Sequence, residues 1–238
     1  MGNVMRLLLW VVLLLALAAP VMAQGLEEIV VTARRREARG YDEDVPVIGL
    51  RRVADYAVQM VTVTGDTRDP DKRHKEIFDM IRGAIELAAK RGDIELATGE
   101  MIVEPLNIDN YGNLTLTTDK RPDTDKTSFL VKTKLAAGKD AKAALDKIYK
   151  FVKDVPTVGR ALMETEGELT LSVVRPDQYR GAIIDLIAAD AHATAAKMGP
   201  DYAIEAKGLE RPVEWSRASL TEVFLYVPYS YDVVPKGR

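Results

Sequence analysis

The chain offers few residues that could do chemistry. It has two histidines, His74 in D-K-R-H-K-E and His192 in D-A-H-A-T, and no cysteine. A zinc site draws three or four ligands from residues at suitable spacing; two scattered histidines do not supply them, and both read as residues of solvated helix faces. Ser128, Ser172, Ser216, Ser219 and Ser230 stand outside any nucleophile motif, and no G-x-S-x-G occurs. Without a nearby base to activate it, none reads as a nucleophile. The carboxylates Asp119, Asp123 and Asp125 around Pro122 are the oxygen ligands a hard cation takes. Lys120, Arg121 and Lys126 oppose that charge, and the spacing is not that of an EF-hand loop. Asn107 to Gly112 starts like such a loop, but the position needing a bidentate glutamate is Thr118. Glu164, Glu166 and Glu168 alternate along one side of an extended segment, with nothing to pair them for acid–base work. No catalytic constellation emerges. The expectation is a protein that is not an enzyme, with no cofactor and no metal.

Aromatic residues gather late in the chain, at Trp215, Phe224, Tyr226, Tyr229 and Tyr231. Tyrosine and tryptophan are enriched where proteins meet, so Trp215, Tyr226, Tyr229 and Tyr231 form a candidate interface. Core packing along a tyrosine-rich strand is the competing account.

Residues 1–23 have the grammar of a secretory signal peptide: Arg6, an apolar run from Leu7 to Ala19, and Val21-Met22-Ala23 as the cleavage segment. The run is shorter than the ~20 residues a bilayer-spanning helix needs. Removing the signal leaves about 215 residues and a net charge of −4. That balance gives no electrostatic case for nucleic acid. With no cysteine, an exported chain must be held by its core and not by disulfides.

Residues 24–52 keep no period of 2 or 3.6 and carry a basic cluster, Arg34-Arg35-Arg36, and an acidic one, Asp42-Glu43-Asp44. They read as an extended arm, in which Ile29-Val30-Val31 becomes a strand when a sheet edge is offered. From Val53 the patterns of a single domain run to residue 235. Tyr56, Val58 and Met60 alternate, and the parity shifts at Val61 and Val63, which predicts a bulge or a strand buried on both faces. Asp69-Pro70-Asp71 supplies a cap and a proline at the first helical position. Ile77, Met80, Ile81, Ala84, Ile85 and Ala88 give the helical stripe, and Gly92 the stop.

A strand over Ile94–Leu106, interrupted near Gly99, is expected to turn at Asn110–Asn113 and return over Leu114–Thr118 as a hairpin. Phe129, Val131, Thr133 and Leu135 mark another strand, Ala141–Lys153 a second helix, and Leu169, Leu171 and Val173 a further strand. A third helix follows Arg175-Pro176-Asp177, with a stripe of Tyr179, Ala182, Ile183, Leu186, Ala189, Ala193 and Ala196. A last strand-forming run, Val223–Val234, contains Pro228. Together these predict an α+β fold: a mostly antiparallel sheet covered on one face by long amphipathic helices, and not an integral membrane barrel.

Two resemblances follow from these residues. I-V-V-T-A, at Ile29, Val30, Val31, Thr32 and Ala33 within E-E-I-V-V-T-A-R-R-R-E, resembles the TonB box of TonB-dependent outer-membrane transporters. It implies a Gram-negative envelope and an arm that binds a TonB-like partner by adding a strand. The helix Gln178–Gly199, the strand-like Tyr202–Ile204, the terminal Glu222–Tyr231 and the opening Met60–Asp66 resemble the SIMPL domain of exported bacterial proteins, over roughly residues 53–234. The long polar stretch Asn107–Lys126 departs from that pattern. This resemblance implies an α+β protein of the periplasm or envelope that forms larger assemblies, with no catalytic residues to carry over. The expected function is that of a non-catalytic exported protein, periplasmic or associated with the outer membrane. It acts through self-assembly as a homo-oligomer or through protein binding; the alternative is a soluble adaptor whose arm engages a TonB-like protein.

Overall fold

Asp69-Pro70 opens a helix as those residue types dictate. In the computed structural model of the chain, which describes residues 28–31, 45–99, 103–119, 121–136 and 141–237, helix α1 spans Pro70–Arg91. The Asp69 carboxylate accepts from the Lys72 amide at 2.8 Å, using an amide that the first turn leaves unbonded. Gly92 ends the helix at φ 69° with its N–H on the Ala88 carbonyl. Helix α2 covers Ala141–Asp154. A short 3-10 turn at Pro176–Tyr179 leads into α3, Arg180–Met198. The expected signal peptide, and the arm outside Glu28–Val31 and residues 45–52, lie outside the described residues.

The strands are β1 (Glu28–Val31), β2 (Leu50–Val53), β3 (Tyr56–Gly65), β4 (Glu95–Thr98), β5 (Glu104–Pro105), β6 (Thr117–Thr118), β7 (Asp125–Lys134), β8 (Leu162–Val174), β9 (Tyr202–Lys207), β10 (Glu214–Arg217), β11 (Glu222–Tyr226) and β12 (Ser230–Pro235). Seven of them form one sheet in the order β1-β8-β3-β7-β4-β5, with β6 also paired to β7. The sequences β10-β11-β2 and β12-β9 make two smaller sheets. Each of these pairings is antiparallel.

The large sheet curls until its ends approach. The Val103 amide, one residue before β5, donates to the Glu28 carbonyl of β1 at 3.1 Å, so a residue beside one edge bonds the opposite edge. The result is a nearly closed, barrel-like sheet. This corrects the expected architecture, a sheet lying under a cover of long amphipathic helices. Alternation reports which residues face inward, but not whether the sheet bends back on itself.

β3 carries the trace of the curl. Ala57, Val58 and Gln59 are consecutive and all buried, because one side of the strand meets a core and the other the closed interior. Ala97, Val103 and Leu130 cluster with Val58 as a small core. The predicted phase change corresponds to a register shift between Val58 and Met60 against β8. There the buried Gln59 amide donates to the carbonyls of Glu166 at 2.7 Å and Gly167 at 3.2 Å, groups the irregular ladder would otherwise leave unpaired.

Ile77, Met80, Ile81 and Ala84 of α1 and Ile148 and Phe151 of α2 share the main core with Val61, Val63, Phe129 and Val131. α3 does not join it. Only Ile183 and Ile187 of its residues are buried, and Leu186 is 42 % exposed, so most of the stripe assigned from sequence is not a core face. An alanine-rich helix is apolar nearly all round and does not reveal which side packs.

Three strand expectations change as well. Ile94–Leu106 is two strands paired with each other. The return strand shrinks to β6, which pairs with β7 and not with β4. The final run breaks at Pro228 into β11 and β12, which belong to different sheets, as the missing proline amide favours.

A polar cluster ties the start of α1 to the loop before β8. Thr67 donates to the Glu76 carboxylate at 2.5 Å, which also accepts from the Arg160 amide at 3.2 Å. Arg160 forks onto Asp66 at 2.6 and 2.7 Å. The Thr67 hydroxyl holds the Glu76 carboxyl below its ordinary range, and the Arg160 guanidinium does the same for Asp66. Gly159 sits beside this cluster at φ 55°, where a Cβ would lie 2.2 Å from the Glu76 carboxyl; a Cβ on Gly92 would meet nothing within 4 Å.

Two outcomes are expected. Gly92→Ala should lose about 1 kcal/mol in urea unfolding, the cost of an L-residue in the left-handed region. Gly159→Ala should lose clearly more, because it adds a steric clash to the same strain. Carboxylates with depressed native pKa stabilise the fold above their unfolded-state values and lose that contribution as pH falls through the native ones. The urea midpoint should therefore hold from pH 7 to about 5 and fall below about pH 4. The fall should be shallower in an Asp66→Asn, Glu76→Gln variant.

Candidate functional site: the seat of the N-terminal strand

Residues of an antiparallel strand alternate between faces, and β1 uses both. Its register sets Glu28 opposite Val174, Ile29 opposite Val173, Val30 opposite Ser172 and Val31 opposite Leu171. Ile29 turns into a second core with Leu171, Val173, Ile183, Ile187, Val223 and Leu225. Glu28 turns the other way, into the closed side of the sheet.

There its carboxylate accepts from the Ser172 hydroxyl at 2.6 Å and from the Lys132 ammonium. Lys132 belongs to β7, the third strand over from β1 in the sheet. The two side chains meet because the interior of the curl is narrow enough to cross. The Lys132 ammonium also lies 4.2 Å from the centre of the Tyr56 ring and 3.6 Å from the Glu95 carboxylate. The Tyr56 hydroxyl donates to Glu95 at 3.0 Å. Five neighbouring strands, β1, β8, β3, β7 and β4, thus contribute one residue each: Glu28, Ser172, Tyr56, Lys132 and Glu95. Burial, and then the Glu95 carboxylate, push the Tyr56 phenol well above its ordinary range, so it remains a neutral donor.

The wall of the seat is held from outside. The Asp55 amide donates to the Ser172 carbonyl at 3.0 Å, and the Asp55 carboxylate accepts from the Val174 amide at 2.8 Å. Arg52 fixes that carboxylate at 2.8 Å and lies 4.4 Å from the centre of the Tyr179 ring. The seat therefore has an apolar pocket for Ile29, a cationic one for Glu28, and a backbone donor, Val103, on its open side.

This geometry holds a strand, with its ion pair deeply buried. The Glu28 and Lys132 side chains are 9 % and 6 % exposed, and Ser172 is fully buried. Glu95, by contrast, is 44 % exposed and lines, with Lys132, an open cavity of about 290 Å³.

The other residues singled out from sequence are dispersed. His74 lies 3.3 Å from Asp125, whose carboxylate is taken by Arg73 at 2.6 Å; Asp119 pairs with Lys126 at 3.0 Å. Asp119 and Asp125 are thus taken by different basic residues, and Asp123 is exposed. Glu166 accepts from Thr62, which also shares a hydrogen bond with Ser128. His192 is exposed on α3.

Trp215 and Tyr226 lie on opposite faces of the β10–β11 pair, since Trp215 is in register with Leu225 and Glu214 with Tyr226. Tyr226 is buried and Trp215 and Tyr229 are half-buried against the second core. Tyr231, in another sheet, donates to Asp190 of α3 at 3.0 Å. These four aromatics do not share one face. Of the arm residues, Ile29, Val30 and Val31 are placed in β1, while Thr32 and Ala33 lie outside the described residues.

Sequence reading missed Lys132, Ser172, Tyr56 and Glu28 as a group. No local signal marked Lys132, which shares its face of β7 with Lys126, Ser128 and Lys134 and so reads as part of a solvated face.

Comparison with protein-family models, with curated proteins and with solved structures returns no match. Among the described residues no helix is long and apolar enough to cross a membrane.

Removing one partner of a buried ion pair strands the other charge, at a cost of about 3–5 kcal/mol. Glu28→Ala should therefore lower the unfolding free energy by about 3 kcal/mol or more, read by urea titration. Glu28→Leu combined with Lys132→Met should recover most of that loss, because an apolar pair of similar volume needs no compensation.

Proposed function

We propose that this is an exported, non-catalytic protein of a Gram-negative cell envelope that works by binding protein, with self-association as its main form. The observation that carries this reading is the seat. The segment singled out by sequence as a binding element is a strand at a sheet edge, received by a site that matches it on both faces. Extended peptides recognised by strand addition take affinity from the backbone ladder and specificity from side-chain pockets, and this site has both. The signal-peptide grammar of residues 1–23 supports export to the periplasm. The resemblance of residues 53–234 to SIMPL domains supports assembly.

The chemistry of a groove on the large sheet fits the same reading. A groove of about 480 Å³ beside Met60 and Leu130 carries hydroxyls and amides from Thr98, Asn110, Thr117 and Ser128, and Glu104 as its one ionisable group among the described residues. A single carboxylate without a base or nucleophile beside it is a poor start for catalysis.

The match of Ile29–Ala33 to a TonB box favours a second reading, a soluble adaptor. On that reading β1 leaves its seat and adds to the sheet edge of a TonB-like partner, associated with the outer membrane. Such release must overcome the cost of exposing Ile29 and stranding Lys132, so the partner's edge must offer comparable bonding.

Light-scattering mass of the chain from Gln24, over a hundredfold range of concentration, tests the first reading; titration with the periplasmic domain of a TonB-like protein tests the second. Self-association predicts a mass above one chain. A single-chain mass throughout, with saturable binding of the TonB-like domain, would favour the adaptor. A single-chain mass without binding overturns both. A chain beginning at Val53 is not a neutral control, because it lacks β1 and nearly all of β2, strands of two sheets.

A further inference from the structure

The seat and its occupant belong to one chain and are linked through residues 32–47. The chain is committed to the domain again at Ile48, which packs in the second core. Gly49 follows, where an added Cβ would lie 2.6 Å from the Leu225 carbonyl. Between β1 and that anchor run residues 32–47, a length that reaches on the order of 50 Å when extended. β1 pairs only with β8, so it could change its host without disturbing any other pairing.

We infer that β1 exchanges between two copies of this chain, each seat being closed by the strand of the other copy when chains fold together. This rests on the self-association reading above and names its contact. The physical case has three parts. First, the described bonds of β1 are to β8, Lys132 and Val103, distant in sequence, so a strand from another copy makes the same bonds and differs only in association entropy. Second, the seat does not tolerate vacancy: without β1, Lys132 keeps a buried charge with only the half-exposed Glu95 carboxylate near it, and Leu171 and Val173 lose their cover. An opened copy therefore resolves by taking a strand.

Third, the acceptable strand is specified. It needs a carboxylate to meet Lys132 and Ser172, a carbonyl at the same residue for the Val103 amide, and an aliphatic side chain next to it for the second core. A second copy presents that combination in the right order. Once closed, the lock slows reopening, so an exchanged pair persists after dilution.

Charge reversal separates exchange from retention. In Glu28→Lys the strand meets Lys132 with like charge; in Lys132→Glu the seat repels Glu28. Each variant alone should unfold at lower urea than the native chain. Co-refolded at equal amounts, the two can form a pair in which both seats hold opposite charges, but only if strands cross. The expected result is a species of twice the chain mass with near-native urea resistance, present in the mixture and absent from either variant alone. A mixture that behaves as the sum of its parts overturns the exchange.

If the single variants do not fold, Ile29→Cys and Val173→Cys on separate chains answer the same question, since these positions are in register and the chain has no cysteine of its own. Oxidation after co-refolding should yield a disulfide-linked mixed dimer; its absence overturns the exchange. The native chain's mass keeps the two proposals apart. Association without rescue of the charge variants sinks the exchange alone, whereas a single-chain mass without rescue sinks both.

Discussion

The ion pair between Glu28 and Lys132 is the constraint on which the large sheet depends. A curled sheet of this length leaves an interior too small for a proper hydrophobic filling; Val58, Ala97, Val103 and Leu130 are the buried apolar residues that cluster there. The rest of that interior is polar, and it is satisfied by crossing the space. Glu28 reaches from the edge strand to a lysine three strands away, while a serine, a tyrosine and a second carboxylate complete the coordination. Remove the pair, and the edge loses what orients it while the lysine keeps a charge it cannot solvate.

Burying charges is an expensive way to hold a strand, and a leucine and a methionine would hold one as firmly. The gain lies in register. A slip by one residue would turn Glu28 toward the second core and Ile29 toward Lys132, two errors at once. Apolar β1 residues alone would penalise such a slip far less. The same economy appears at Gln59, whose amide answers two carbonyls left open by the shifted ladder. It appears again at Asp55, which binds both a carbonyl and an amide of β8 next to the seat. Polar side chains in this domain are placed where backbone geometry departs from the regular sheet.

The parts that were legible in the sequence are those decided by neighbours along the chain. Asp69-Pro70 and Gly92 bound α1 because caps act within a turn, and the parity change at Val61 registered the bulge because alternation is local. Curvature is not local. It emerges from the pairing of β3 with both β7 and β8 over their whole length, and no period of two encodes it. The break of the final run between two sheets was signalled by Pro228, though not the fact that its halves separate. α3 misled because alanine packs on any side. The strand-forming potential of Ile29, Val30 and Val31 was legible in their residue types, but the sheet edge that receives them was not. For the site, the acceptor was invisible because its members lie in four strands; the occupant was visible because its residues are consecutive.

The hydrogen bond from Ser172 to Glu28 joins residues 144 positions apart. Synthesis runs from the first residue onward, so the strand that closes the sheet is made long before the strand that receives it. Contacts of such separation cost the most chain entropy to form and therefore come late in folding. On that ordering the domain stays an open trough, with Lys132 on the inner wall of β7, until the oldest part of the chain is placed.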